Sequence, residues 1–454
     1  MEEKIVILGN GFDLRHFLPT SYNHLISILS EIEKLSDNKS TITFSDLFDG
    51  VFKEKNEWFY QKINEYYQTE NFIFDVESIK SIHTRLKNNS WFQYFKSVDE
   101  NKIETWIDFE TEISRILKVI LNYFDCFNDN VFENNIIKGN FERKKLFFID
   151  YSNTKKYFNN KLQFKILLNF NLFYHIINQR YYSVNENFIL EIDDQIQYYK
   201  ERDFLNVIYN SLEEFIGIFN DYIVHIINIF YSNLREEKKE NFISKQEKLL
   251  FENVNQIFSF NYTPTYTKFY KTDIINVDNE FLQELELKSK KRKNFYQFLH
   301  GNAVLNWNNK PENYINDLNK MKIVLGVDDI DDSLKIHKLF QFTKYFQKLH
   351  KQTDYLFLKD FHSTNGLKSF DKYTFYFWGH SLDYSDRQYI REIFELVENS
   401  NGSKIKIFYH SISAKGDQLK NLLGIIEKEK VEKFMKFDIL EFIESTSENL
   451  FKEL

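Results

Sequence analysis

The side chains best suited to chemistry stand where short apolar runs end. His300 closes the run FYQFL and precedes Gly301 and Asn302. It joins an imidazole, the side chain that best serves as a general base near neutral pH, to flexible backbone. Asn261 follows IFSF in the string Phe260-Asn261-Tyr262-Thr263-Pro264. Its amide both donates and accepts, which suits a ribose hydroxyl or an attacking water. Taken alone, Asn261 reads first as an Asx-turn helped by Thr263 and Pro264, and a lone histidine is more often structural. The weight lies in the two occurring together at strand ends.

Two glycine motifs repeat the arrangement. Gly9-Asn10-Gly11-Phe12-Asp13 follows the apolar run KIVIL, as a phosphate-bearing nucleotide would need: small residues for close backbone approach, then a helix start with unpaired amides. A plain strand-to-helix turn capped by Asp13 is an equal reading. The full GxGxxG pattern fails because position 14 is Leu, which disfavours an ordinary dinucleotide dehydrogenase. Gly379-His380-Ser381-Leu382 follows TFYFW, with Asp383, Ser385 and Asp386 at the next helix start; they form a second polar rim or a set of helix caps. The esterase elbow GxSxG is absent because position 383 is Asp. Acidic pairs stand after KIVLG (Gly326, Asp328, Asp329) and in WIDFE (Trp106, Asp108, Glu110). Such pairs can bind magnesium, but most are solvated or capping, and no metal site is assigned.

The elements that must position these residues follow from periodicity. Short apolar or β-branched runs predict strands at Lys4–Leu8, Gln256–Phe260, Phe295–Leu299, Lys322–Leu325, Tyr373–Trp378 and Lys404–Tyr409. Helical spacing predicts helices at Leu382–Val397 and Gly416–Glu429. The alternation implies an α/β class, a Rossmann-like, mostly parallel sheet. Residues 1–25 and 251–454 form this core, and 26–250 a large helical insertion. Within the insertion Phe204, Ile208, Leu212, Phe215, Phe219, Ile223 and Phe230 make an apolar stripe that reads as core. Glu213, Glu214, Asp221 and His225 interrupt that stretch, so no transmembrane segment is expected.

Composition narrows the class. A formal net charge of -8 gives no general pull toward nucleic acid, and the local run Lys288 to Lys293 reads as a solvated loop. One cysteine, Cys126, excludes an intrachain disulfide framework and cysteine-based zinc sites. With Glu2 and Glu3 before a short apolar run there is no signal-peptide pattern, and a cytoplasmic location is expected.

Taken together, ILGNGFDLRHFLPTSY, WIDFE, SFNYTPTY, LHGN and GHSLDYSD resemble the AbiH family of bacteriophage abortive-infection proteins over most of the chain. That family carries a small residue and a glycine near Arg15 to Phe17, where this chain has Arg-His-Phe. More loosely, the order of glycine loop, strand-end Asn, HG and GxSxxxxD is similar to sirtuin-like NAD-cleaving defence domains, although Asn10 and Phe12 replace that group's Ala or Thr and Ser. The resemblances imply Asn261 and His300 as catalytic. They imply Gly9, Asn10, Gly11, Asp13, Gly379, Ser381 and Asp386 as nucleotide-binding. The expected activity is hydrolysis of the ribose–base bond of NAD or a related nucleotide as substrate, with no cofactor required and no membrane partner. A phage-derived trigger and self-association are the further partners this reading leaves room for. One alternative is a nuclease acting on tRNA or phage DNA, with Asp13, Asp328 or Asp386 holding magnesium; the other is a noncatalytic nucleotide-sensing module.

Overall fold

The structure is a computed structural model that describes residues 2–98, 106–128, 136–141, 144–150, 161–175, 181–192, 195–243, 245–252, 254–270, 295–303, 322–327, 339–351, 353, 357 and 372–453. Six parallel strands make one sheet: β1 (Glu2–Leu8), β2 (Gln256–Ser259), β3 (Phe295–Phe298), β4 (Lys372–Trp378), β5 (Lys404–Tyr409) and β6 (Leu440–Glu444). Their spatial order is β3-β2-β1-β4-β5-β6. This is the order of doubly wound nucleotide-binding sheets, which take ligands beyond the carboxyl ends of the strands where the order reverses. Here the reversal lies between β1 and β4. Leu8 pairs with both Ser259 and Trp378, and Ser259 with Phe298, so four neighbouring strands end level and their loops emerge side by side.

The strands are apolar on both faces because both faces are covered. Ile5, Ile7, Phe258, Phe375, Phe377 and Ile405 pack with Ile390, Phe394, Leu422 and Phe434 on one side. Val6, Leu8, Ile257, Tyr376 and Trp378 pack with Leu250, Phe251, Tyr266 and Leu450 on the other.

The intervening region builds most of a second, larger core, which runs from Leu18 to Ile243 and takes in Ile323, Leu325, Val327, Leu339 and Phe342. Its helices include α2 (Trp106–Asn128) and α3 (Glu201–Tyr222), whereas α1 (Asn10–Arg15) belongs to the first strand-end loop. Helix α3 continues through a π turn to Ser232. The stretch Glu201–Ser232 is long and apolar enough to cross a membrane by length and composition, but 72% of its most apolar window is buried inside the protein, as core helices are. The region is not purely helical. Ile136–Phe141, Lys144–Asp150, Phe173–His175 and Tyr181–Val184 form a four-stranded antiparallel sheet, and two two-stranded pairs accompany it. These strands are two to seven residues long and stand among helices whose spacing masks them.

Three expected elements differ from the observed ones. Lys322–Leu325 is irregular and joins no sheet among the described residues; Ile323 and Leu325 pack in the helical core instead. Its backbone is satisfied by other means: Val324 N donates to His300 O at 2.9 Å, and the Gln347 side chain both accepts from Leu325 N and donates to Leu325 O, each at 2.9 Å. Leu440–Glu444 is an additional edge strand. The expected helix from Leu382 begins only at Arg387 (α5, Arg387–Asn399), because Leu382 has a left-handed φ of 56° and Tyr384–Asp386 form a 3-10 turn. Ser411 caps α6 (Ile412–Ile425), which ends before α7 (Lys428–Lys436) starts.

The glycine at position 379 is required twice over. Its φ is +63°, and a Cβ there would stand 2.3 Å from Phe12 N. Gly379→Ala should therefore destabilise the fold by roughly 2–5 kcal/mol, the sum of the left-handed penalty and the overpacking cost. Gly416→Ala, inside α6 with nothing near its Cβ position, should stabilise it by about 0.5–1 kcal/mol. Thermal unfolding of the two variants checks both signs; equal melting temperatures would contradict the packing account.

Candidate functional site

The glycine loops at the switch point are joined to each other. Gly9 N donates to Trp378 O at 3.0 Å, Gly11 N to Gly379 O at 2.8 Å, and Phe12 N to Gly9 O at 2.9 Å. A Cβ on Gly9 would stand 2.5 Å from His380 Cα. The small residues thus serve contact between two backbones, and these amides are engaged. Asn10 accepts from the Thr20 hydroxyl at 2.8 Å.

On one side of this junction lies a buried cluster around Asp13, which is 1% exposed. Asp13 does not cap α1; its Oδ2 accepts from the Thr263 hydroxyl at 2.6 Å, across the sheet edge. Thr263 contacts Thr265 at 3.0 Å, and Thr265 contacts Tyr231 of the helical region at 2.8 Å. Burial pushes the Asp13 carboxyl up to about 7, against the opposing bonds from Thr263, Thr265 and Asn261. Asn261 is buried beside it and forms no Asx-turn; the Ser259 hydroxyl receives the Asn261 amide N–H instead, at 3.1 Å. Asp13 Oδ1 and Asn261 Oδ1 are both buried without a hydrogen-bond partner among the described residues.

On the other side stands a cluster around Asp386. His300 Nε2 lies 3.4 Å from Asp386 Oδ1, and His380 Nε2 lies 3.4 Å from Asp386 Oδ2. His300 is within reach but misaligned for a hydrogen bond, and its Nε2 has no partner among the described residues. His380 Nδ1 accepts the Leu382 N–H at 2.9 Å, which assigns its proton to Nε2, facing the carboxylate. Lys344, at the start of α4 (Lys344–Lys351), places Nζ 2.6 Å from Glu110 Oε1 on α2 and 3.8 Å from Asp386 Oδ1. Burial alone would raise the Asp386 carboxyl, but Lys344 and the two imidazoles hold it well below the usual carboxylate range. Burial, reinforced by Lys344, lowers His300 to about 4, so this histidine is neutral at pH 7. Burial raises Glu110 to about 7 despite Lys344. Phe260 packs edge-on against both imidazoles, with ring centroids at 5.0 and 4.5 Å, and walls the cluster from water.

The strand order thus brings Gly9, Asn10, Gly11, Asp13, Asn261, His300, Gly379 and Asp386 to one sheet edge. Ser381 stands apart: it is exposed, and its carbonyl accepts from Asn421. Asp383 caps the 3-10 turn by accepting from Ser385 N at 2.9 Å. Asp328, Asp329 and the basic run 288–293 lie outside the described residues. Sequence reading missed Lys344 altogether, took Thr263 only as a turn residue beside Asn261 rather than the partner of Asp13, and saw Glu110 only as a candidate metal ligand. Lys344, Gln347 and Lys351 share one helix face, and all three are buried, which an amphipathic pattern does not announce.

Fold and site together define a doubly wound α/β protein with a buried polar centre at the carboxyl edge of its sheet. The family profile "Bacteriophage abortive infection AbiH" matches residues 5–409, and the chain belongs to that family, whose role is abortive infection against bacteriophage. No curated protein and no solved structure matches the chain. Phe17, just after α1, has a left-handed φ of 50°. Its ring packs on Trp58, Phe59 and Tyr66.

Asp13 generates a pH prediction. Its folded pKa is raised above the unfolded one, so its contribution to stability is present at low pH and lost as pH rises toward 7. Asp13→Asn removes that loss. Its stability relative to wild type should improve by about 1.4 kcal/mol per pH unit between roughly pH 5 and 6.5 and level off above about 7. Urea denaturation across that range tests it; a difference that does not change with pH would contradict the assignment.

Proposed function

We propose that this AbiH protein is an effector that binds NAD or a related nucleotide and hydrolyses its ribose–base bond. The observation that carries the reading is the pair of buried acceptors, Asp13 Oδ1 and Asn261 Oδ1, left without donors among the described residues. Buried acceptors cost free energy unless a donor meets them. The vicinal hydroxyls of a ribose supply donors, whereas a phosphate offers acceptors alone. On this reading Gly9, Gly11 and Gly379 act by close approach, bringing Asp13 beside Asn261, while any phosphate is held elsewhere on the edge.

The chemistry needs little equipment. The C1′–N bond breaks with its electron pair going to the base nitrogen, so the nicotinamide of NAD leaves neutral. A water oxygen bonds to C1′, and its proton passes to a base. Asn261 orients the sugar or the water; His300, unprotonated above its pKa of about 4, accepts the proton. The Asp386 carboxylate, 3.4 Å from His300, stabilises the imidazolium that forms, and Asp13 and Asn261 hold the ring as an oxocarbenium-like charge develops. A magnesium nuclease is less well supported. Lys344 Nζ, 3.8 Å from Asp386 and 2.6 Å from Glu110, already supplies a cation between those carboxylates.

Mass spectrometry of nucleotide pools in cells expressing wild type, Asn261→Ala and His300→Ala tests the reading. Wild type should deplete NAD or another nucleotide, and each substitution should abolish the loss. Toxicity with unchanged pools would overturn it in favour of a nuclease, and bound nucleotide recovered intact would favour a sensing module.

A further inference from the structure

We propose that Lys344, held in place by Glu110 of the helical region, is a positioning residue that fixes Asp386 and, through it, His300. The inference deepens the hydrolase reading and rests on it for its catalytic consequence. It says that the insertion completes the site.

Helix α4 carries the first argument. Its inward face is polar: Lys344, Gln347 and Lys351 are buried. Its outward face is apolar: Tyr345, Phe346 and Leu349 are exposed. Burying two lysines is costly unless each is paired, so the helix is set by what the inward groups hold. Gln347 brackets the backbone of Leu325. Lys351 donates to Ile323 O at 2.9 Å and pairs with Glu213 of α3 at 3.0 Å. These two dock the helix. Lys344 reaches the site.

The second argument is the shape of the charge path. From Glu110 to Lys344 is 2.6 Å, from Lys344 to Asp386 3.8 Å, and from Asp386 to His300 3.4 Å. All four residues are nine-tenths buried or more. Lys344 is nearer to Glu110 than to Asp386, so it is the insertion that fixes the cation's position. Glu110 Oε2 and Asp386 Oδ1 have no hydrogen-bond partner among the described residues, leaving Lys344 the compensating charge for both. The charged and titratable groups facing His300 are Asp386, Lys344 and Lys348, the Tyr262 and Tyr389 rings packed on it, and His380 on the far oxygen of Asp386.

The test uses purified full-length protein and two readouts. In the first, imidazole resonances are followed against pH, with that of His300 assigned by its disappearance in His300→Gln. Wild-type His300 should stay unprotonated down to about pH 4. In Lys344→Met its titration should move up by about one unit or more, and Lys344→Arg should restore it. In the second, NAD hydrolysis is measured: Lys344→Met and Glu110→Gln should lower kcat by at least about tenfold with KM nearly unchanged, the scale on which supporting partners act. Glu110→Asp should lie between. An unmoved His300 titration in folded Lys344→Met overturns the proposal. If Lys344→Met fails to fold, Glu110→Gln with wild-type kcat overturns it. If wild type does not consume NAD, the hydrolase reading fails, and the titration alone decides whether Lys344 governs His300.

Discussion

Where the sheet reverses its order, two loops touch backbone to backbone. The Gly11 amide donates to the Gly379 carbonyl at 2.8 Å, and a Cβ at Gly9, Gly11 or Gly379 would overlap the opposite loop. That contact lies at the switch point where other doubly wound sheets take a dinucleotide. It also fixes the strand ends so tightly that the polar side chains around it have little freedom. Asp13 is carried toward Thr263 and Asn261 on the β2 side. His380 and Asp386, from the loop after β4, are carried toward His300 at the end of β3. The two buried clusters are consequences of one steric constraint.

The helical region grips both. Tyr67 donates to His16 O and Tyr222 to Pro19 O, pinning the chain just after α1. Tyr231 reaches Asp13 through Thr265 and Thr263, and Glu110 reaches Asp386 through Lys344. A region that touches each cluster through hydrogen-bonding side chains can change the site when it moves, because a buried polar group that loses its partner is costly.

Much of this was legible in the sequence. KIVIL, QIFS, FYQF and TFYFW are apolar runs ending in Gly, Asn or His, and runs of that kind form buried parallel strands whose ends carry function. The strand order was not legible, because some 240 residues separate the first glycine loop from the next core strand and local pattern does not report pairing partners. KIVL has the same composition as a true strand but passes through the helical core, its hydrogen bonds taken by Gln347, Tyr262 and Lys351. Lys344 was hidden for the converse reason: KYFQKLHK is amphipathic, and the ordinary expectation turns its lysines outward. Asp13 looked like a cap because caps are local, whereas its partner Thr263 is 250 residues away.

On the proposed function, the loops at residues 9–13, 260–265, 299–303 and 379–386, together with α2, form one nucleotide site. Hydrogen–deuterium exchange of His300→Ala with and without saturating NAD tests this most directly, since it reads binding without requiring turnover. Slowed exchange is expected in peptides covering the loops and, in the same experiment, in the segment of α2 that carries Glu110. Unchanged exchange in all of them would contradict the site, and protection of the loops with none in α2 would contradict the part given to the helical region.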